Sequence, residues 1–359
     1  MRVTFVLASG YSLTGGDRVI ANFAAELNAR GHTVNLISRP RRPRPWYERW
    51  KRHASPTGES HFDQLPMPRR TLESYRPVMD RDVPDADIVV ATWWETAEWV
   101  AGLNPRKGAK GYLIQQHETF DYLPRHRVAA TYYLPLHKIV VARWLLELMQ
   151  SEYGDACVSK VPMGVDSRQF HAMLRTKQTV STIGFMYSHV PWKGGAVIRE
   201  AMAHVRHAIP TLQMRAFGLD TPSTALPLPP GTEFTYRPAQ AQLPVFYAGC
   251  DVWVCGSWSE GFTLPPMEAM ACRCPVVSTR VGGPDEMIRE GVNGYLVEAG
   301  DAAALAERVE RVLALDAVHW QAMSDAAYAT AAEYTWEKAA DGFEAALCRG
   351  IERTRQGEI

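Results

Sequence analysis

The chain has 359 residues, 46% hydrophobic and 22% charged, which is the balance of a soluble globular protein too long for one ordinary core. Its formal charge is zero, with 39 Lys and Arg against 39 Asp and Glu. That excludes the broad positive surface that nucleic-acid binding needs, so no nucleic-acid partner is expected.

The opening Val3–Leu7 is an apolar strand, too short for a signal-peptide core. Gly15-Gly16 follows, and then Val19, Ile20, Phe23, Ala24 and Leu27 recur at helical spacing up to a terminating Gly31. His32–Ile37 alternates as a strand, which completes a βαβ unit of a parallel sheet. Further strands are expected at Asp87–Ala91, Tyr112–Gln115 and Ile139–Ala142, with a helix entered through Thr92-Trp93-Trp94-Glu95, where Thr92 and Glu95 satisfy a capping box. The periodicity breaks over 159–170. A second α/β series then runs through Thr182–Met186, Gln213–Phe217, Glu233–Tyr236, Val252–Cys255, Pro275–Ser278 and Gly294–Val297, and a helix from Trp336 to about Arg353 closes the chain. The expected architecture is α/β, with two Rossmann-like doubly wound domains at 1–165 and 166–335. Residues 336–359 form a C-terminal helix that crosses back to the first domain. Facing domains of this kind would place a ligand cleft between them, at the carboxyl ends of the strands.

Charge is uneven along the chain: 22 Lys and Arg against 17 Asp and Glu in residues 1–165, and 17 against 22 in the rest. Arg39–His53 holds seven Lys and Arg with Trp46, Tyr47 and Trp50. This segment reads either as a solvated loop or as a patch that meets anionic lipid headgroups, placing the protein peripherally at the inner membrane face. No apolar run reaches the roughly 18 residues of a membrane span. The six cysteines show no paired CxxC spacing, so neither a structural zinc site nor a disulfide framework is expected, and the setting is read as cytoplasmic.

The densest signal is Ser259–Ala271, between an apolar strand and the strand that begins at Cys274-Pro275. Glu260 sits at a strand's carboxyl end and Glu268 about one turn into the next helix. Backbone N–H groups of Phe262, Thr263 and Leu264 would point from that helix start at an anion. Two carboxylates beside a phosphate serve stability poorly. They make sense if each binds hydroxyls, one on a ribose and one on a transferred sugar.

This stretch resembles the paired-glutamate motif of the retaining glycosyltransferases of family 4, which have the GT-B fold. The glutamates stand in an EGF-x-LP-x-x-EAMA-x-x-x-PVV context. The resemblance covers nearly the whole chain. Thr279–Glu286, Asn293–Val297 and Met163-Gly164-Val165-Asp166 with Phe170 follow the family's order, Met163 standing where Asn is usual. It implies a nucleotide-diphosphate sugar as donor, a donor-binding second domain and an acceptor-side first domain. Glu268 would bind the ribose and Glu260 the donor sugar, while Gly15 and Gly16 let backbone approach the diphosphate. Lys193, in Trp192-Lys193-Gly194-Gly195, would hold the diphosphate and stabilise the leaving group. Members usually carry Gly-Arg at the end of the preceding strand, whereas this chain has Gly184-Phe185-Met186-Tyr187-Ser188-His189. Either Lys193 works alone, or Ser188, His189 or another cation such as Arg237 assists.

In the first domain His117 follows a strand, where family members often place a His near the reacting sugar. A structural role is equally open for it, and Glu118 competes for the same space. Gln115–Phe120 and Ala91–Ala97 look most like a subgroup that includes rhamnan and surface-polysaccharide transferases, which implies a glycan or lipid-linked acceptor. A small-molecule acceptor is the other option. Asp80-Arg81-Asp82 and Asp85-Ala86-Asp87 superficially resemble a metal-binding Asp-x-Asp, but the latter leads into a strand instead of ending one. No metal or other cofactor is therefore expected. Two rival readings stand beside the transferase: a sugar-nucleotide hydrolase or epimerase on the same fold, and a non-catalytic nucleotide-sugar-binding protein.

Overall fold

The computed structural model describes residues 1–40 and 60–359. They divide into two units, Met1–Pro162 with Trp336–Ile359, and Met163–Thr335. The first unit contains strands β1 (Arg2–Leu7), β2 (Thr33–Ser38), β3 (Arg69–Thr71), β4 (Ile88–Ala91), β5 (Ala109–Ile114), β6 (His137–Val140) and β7 (Ser159–Lys160). They form a parallel sheet in the order β3-β2-β1-β4-β5-β6-β7. The connections run one way from β1 to β2 and the other way from β4 onward. Such a reversal opens a crevice at the strands' carboxyl ends, between β1 and β4.

Helices α1 (Gly15–Ala29), α2 (Trp94–Ala101), α3 (Arg125–Thr131) and α4 (Arg143–Ser151) belong to this unit, together with the C-terminal helix Trp336–Arg355. Helix α1 buries Val19, Ile20, Phe23, Ala24 and Leu27, and Gly31 follows it at φ 84°, the left-handed position that ends helices on glycine. The C-terminal helix buries Ala339, Ala340, Phe343, Ala346 and Leu347. Phe343 stacks on Phe23 with centroids 4.2 Å apart and on Phe5 at 6.0 Å, so the last helix is tied to the first strand and the first helix.

Helix α2 starts one residue later than the sequence suggests. Thr96, not Glu95, closes its first turn, accepting from the N–H groups of Thr92 and Trp93 at 2.9 Å each. The expected Thr92–Glu95 capping box is absent. The Thr92 hydroxyl donates to the Val6 carbonyl at 2.9 Å, and Glu95 pairs with Arg39.

The second unit contains β8 (Thr182–Tyr187), β9 (Gln213–Gly218), β10 (Thr232–Tyr236), β11 (Val252–Cys255), β12 (Val276–Thr279) and β13 (Gly294–Val297), parallel in the order β10-β9-β8-β11-β12-β13. Its helices are α5 (Gly195–Ala208), α6 (Leu243–Ala248), α7 (Leu264–Ala271), α8 (Gly283–Met287), α9 (Ala302–Ala314) and α10 (Ala317–Ala332). Val197, Ile198, Ala201, Met202 and Val205 of α5 pack with Leu305, Ala306, Val309 and Val312 of α9 over Ile183, Phe185, Val252, Val254 and Val277 of the sheet. The reversal here lies between β8 and β11, which directs attention to the residues that follow those two strands.

One buried histidine gives the first unit a pH dependence. His137 is fully buried, with Nε2 3.0 Å from the Ser159 hydroxyl and Nδ1 3.2 Å from the Arg353 guanidinium. Because a guanidinium only donates, Nδ1 accepts, and a proton added there would face a cation. Burial first, and then Arg353 and Arg349, push its pKa down to about 4 from 6.5, with Asp155 opposing in part. A histidine whose folded pKa lies below its unfolded one contributes stability above the unfolded value, and that contribution drains away as pH falls toward the folded value. Urea unfolding between pH 6.5 and 4 should therefore show stability falling by up to about 1.4 kcal/mol per pH unit from this residue, with the slope reduced in His137→Gln. An identical slope in the two proteins would contradict the assignment.

Candidate functional site

The second unit gathers its reactive side chains at the carboxyl ends of β8, β11 and β12. After β8 the chain makes a short turn over Pro191–Lys193 and enters α5 through Gly194. Gly194 has φ 66°, and a Cβ there would lie 1.7 Å from the carbonyl oxygen of Gly256, just past β11. Only glycine permits this approach of the two loops. It sets Lys193 against Glu260, whose two carboxylate oxygens each lie 2.8 Å from Nζ. The Ser257 hydroxyl donates to Glu260 Oε1 at 2.7 Å, and the Thr279 hydroxyl at the end of β12 donates to the Ser257 carbonyl at 2.6 Å. The Glu260 side chain is 7% exposed and that of Lys193 is 27% exposed. Both line a pocket with Met186, Trp253, Cys255, Thr263 and Pro265.

The chain between the glutamates is strained where the pocket needs it. Thr263 precedes α7 at φ 69°, a region that a β-branched residue rarely enters. Pro265 and Pro266 occupy the first turn, where a missing N–H costs nothing, and no Thr263 side-chain cap closes the helix start. Phe262 is buried and its carbonyl accepts from the Gly283 N–H at 2.8 Å, so its side chain anchors the loop and does not line the pocket. Leu264 is likewise buried. Thr263 lines the pocket, and the buried side chains of Phe262 and Leu264 flank it.

Glu268 is 3% exposed, and its Oε2 accepts from the Tyr247 hydroxyl at 2.8 Å. His189 and Arg237 follow β8 and β10, and neither they nor Glu268 line the pocket with Lys193. His189 Nε2 meets the Thr221 carbonyl at 2.9 Å, and Arg237 Nε donates to the Leu219 carbonyl at 3.2 Å. Gly184 is interior to β8, where a Cβ would meet Cys250 Sγ at 2.6 Å, so it is a packing residue and not the loop glycine of a Gly-Arg pair.

In the first unit, Gly15 and Gly16 open α1, with the Thr14 hydroxyl accepting from the Asp17 N–H. Neither has a positive φ, and a Cβ at Gly15 meets nothing within 4 Å, so neither backbone conformation nor packing demands glycine there. Gln115, just after β5, donates to the Gly16 carbonyl at 3.2 Å, which joins this turn to the segment that carries His117. His117 is half-buried, with Nε2 2.8 Å from the Tyr153 hydroxyl and Nδ1 3.1 Å from that of Thr119. Burial lowers its pKa, partly opposed by Glu152, so the ring is neutral at neutral pH. Glu118 is more deeply buried, accepting from the Trp94 N–H at 3.0 Å, and burial raises its pKa well above the ordinary glutamate value.

Of the acidic pairs outside the pocket, Asp80 accepts from the Asn104 N–H at 2.8 Å and the other three carboxylates meet basic side chains. Asp82 binds Arg76 and Arg70, Asp85 binds Lys107, and Asp87 accepts from Arg2. Arg39 also departs from expectation. It is buried, pairs with Glu95 and donates through Nε to the Ala8 carbonyl, so it is a packing residue of this unit and unavailable to a lipid surface. Residues 41–53 of the basic segment lie outside the described residues. Among the described residues no helix is long and apolar enough to cross a membrane. Sequence reading also missed Ser257 and Tyr247, which carry no motif of their own, and gave no role to Thr279, which heads the family-like Thr279–Glu286 segment; strand register and helix packing bring all three to the glutamates.

Two parallel α/β units, with Lys193 and Glu260 past the strand ends of the second and Glu268 on the helix that follows, have the GT-B fold. The model for Glycosyltransferase Family 4 matches residues 13–169, and that for Glycosyl transferases group 1 matches 166–330, so each half of the chain is similar to a glycosyltransferase family. The D-inositol 3-phosphate glycosyltransferase of Segniliparus rotundus is 30% identical over 200 residues, which is 53% of this chain and 42% of that protein. The match thus spans less than half of that relative's length. Among solved structures, Anabaena HepE in complex with UDP has a TM-score of 0.74 over 97% of this chain and 100% of that one, at 16% identity. Sucrose-phosphate synthase from Thermosynechococcus elongatus gives 0.72 over 98% of each chain, at 17% identity. At those identities the likeness concerns the fold.

The close approach of Gly194 to Gly256 can be tested directly. Gly194→Ala forces a Cβ into the Gly256 carbonyl and strains a left-handed residue, so its melting temperature should fall by several degrees or the protein should fail to accumulate folded. A melting temperature within a degree of wild type would contradict this geometry.

Proposed function

We propose that this protein moves a sugar from a nucleoside-diphosphate donor to a hydroxyl acceptor, with retention of anomeric configuration and without a metal. The observation that carries the reading is the Lys193 ammonium held on the Glu260 carboxylate at the carboxyl end of β11, with Glu268 on the helix that follows. A lysine is a compact cation suited to a diphosphate, and a carboxylate accepts from sugar hydroxyls. In the transfer, the bond between the anomeric carbon and the phosphate oxygen breaks and the acceptor oxygen bonds to the same face of that carbon. The acceptor's proton passes to the departing phosphate. Lys193 stabilises the charge that develops on that leaving group, and Glu260 positions the sugar. His117, neutral at pH 7, is assigned to the donor sugar, and Gly15 and Gly16 to backbone approach at the diphosphate.

A glycan or lipid-linked acceptor is the preferred class, supported by the resemblance of Gln115–Phe120 and Ala91–Ala97 to surface-polysaccharide transferases. The name of the Segniliparus relative supports a phosphorylated polyol as the second reading. An acceptor panel that contains both classes separates them.

The two glutamates should separate kinetically. Glu268→Ala should raise the dissociation constant of the nucleoside diphosphate at least tenfold. Glu260→Ala should lower kcat by roughly a hundredfold or more. It should leave nucleotide affinity equal or improved, because Lys193 loses its competing carboxylate. Turnover should persist in excess EDTA. Equal effects of both substitutions on both parameters would mean that the roles are wrongly assigned, and loss of turnover in EDTA would overturn the metal-independent mechanism.

A further inference from the structure

We infer that Tyr247 is a positioning residue for the donor site: its hydroxyl fixes the carboxylate of Glu268 in the orientation that reads the ribose of the nucleoside diphosphate. This rests on the role proposed for Glu268 above and adds the side chain that makes that role selective. Tyr247 lies on α6, before β11, and Glu268 on α7, after it, so the strand that leads to the Glu260 loop is flanked by the two partners. Tyr247 is fully buried and Glu268 is 3% exposed. An ionised carboxylate only accepts, so the phenol donates to Oε2 over 2.8 Å.

The phenol is itself held by packing. Its ring meets Trp253 edge-on with centroids 4.8 Å apart, Phe217 at 5.9 Å and Phe170 at 6.2 Å. Trp253 lies on β11, in register with Gly184 of β8. A tyrosine locked in this way cannot follow the glutamate, so the glutamate must conform to it. A charge-assisted hydrogen bond between two buried side chains restricts the carboxylate to one orientation before any ligand arrives. A buried phenol that only filled space would do equally well as phenylalanine. Its hydroxyl is aimed instead at one of the two carboxylates on which the donor reading depends.

The test uses the full-length protein and calorimetric titration with UDP, GDP, ADP and CDP, each beside its 2′,3′-dideoxy counterpart. For the nucleotide that wild type binds, the ribose form should bind at least tenfold tighter than the dideoxy form. Tyr247→Phe removes only the hydroxyl. It should raise the dissociation constant of the ribose form roughly tenfold and leave the dideoxy form unchanged, so the ratio collapses toward one. Glu268→Gln should collapse the same ratio, and the double variant should lose little more.

If Glu268→Gln collapses the ratio and Tyr247→Phe preserves it, the role of Tyr247 is wrong and the reading of Glu268 survives. A Tyr247→Phe variant that weakens both forms equally has only a packing role, which also overturns the inference. A ratio unchanged in Glu268→Gln, or no binding of any of the nucleotides by wild type, overturns the reading of Glu268 and the role of Tyr247 with it.

Discussion

The bond between Lys193 and Glu260 is the constraint around which the second unit is arranged. Two opposite charges meet at 2.8 Å with the carboxylate almost wholly out of water. The surroundings are built to keep both. The Gly194–Gly256 approach sets the distance, Ser257 satisfies one carboxylate oxygen, and Thr279 holds Ser257. Gly194 opens α5 after β8, Gly256 and Ser257 follow β11 and Thr279 ends β12, so the pair reports on the register of β8, β11 and β12 together. In the proposed reaction a diphosphate entering this pocket would compete with Glu260 for the lysine, and a sugar hydroxyl would then take the lysine's place on the carboxylate, so that one ion pair would couple phosphate and sugar recognition.

The same economy of parts governs the loop between the glutamates. Thr263 is held at positive φ, with Phe262 buried on one side of it and Leu264 on the other. The Phe262 ring packs on Tyr334 with centroids 5.9 Å apart, and its carbonyl is fastened to Gly283. Two buried anchors over-determine one strained residue between them, which is how strain persists in a folded chain. The result is a helix start that carries Thr263 and Pro265 into the pocket wall and places Glu268 one turn further on, against Tyr247.

Much of this was legible in the sequence, and what was not had a physical reason. The apolar runs of β1, β4, β8, β11 and β13 announce a buried parallel sheet, because both faces are covered. Strands β3 and β7 escaped because three and two residues of polar edge strand carry no pattern. Helix α10 escaped because alanines all round its surface leave no one-sided stripe. At the site, the spacing of Glu260 and Glu268 was visible, whereas their partners were not. Ser257 is unremarkable in sequence, Thr279 heads a family-like segment without any sign that its hydroxyl serves the glutamates, and Tyr247 reads as one more core aromatic. Arg39 reads as part of a basic segment, yet the fold turns it inward onto Glu95. Local spacing reveals residues that act from one loop, but residues gathered from separate strands become visible only once register is set.

The most direct test of a donor site on the second unit is a thermal-shift titration of wild type and Glu268→Ala with UDP, GDP, ADP, dTDP and CDP in excess EDTA. A ligand at 100 times its dissociation constant stabilises a fold by roughly 2.7 kcal/mol, which is readily seen as a shift in melting temperature. The account predicts that one nucleotide raises the melting temperature of wild type by several degrees and leaves the Glu268→Ala variant nearly unmoved. Equal shifts in both proteins, or none in wild type with any of the five, would contradict it.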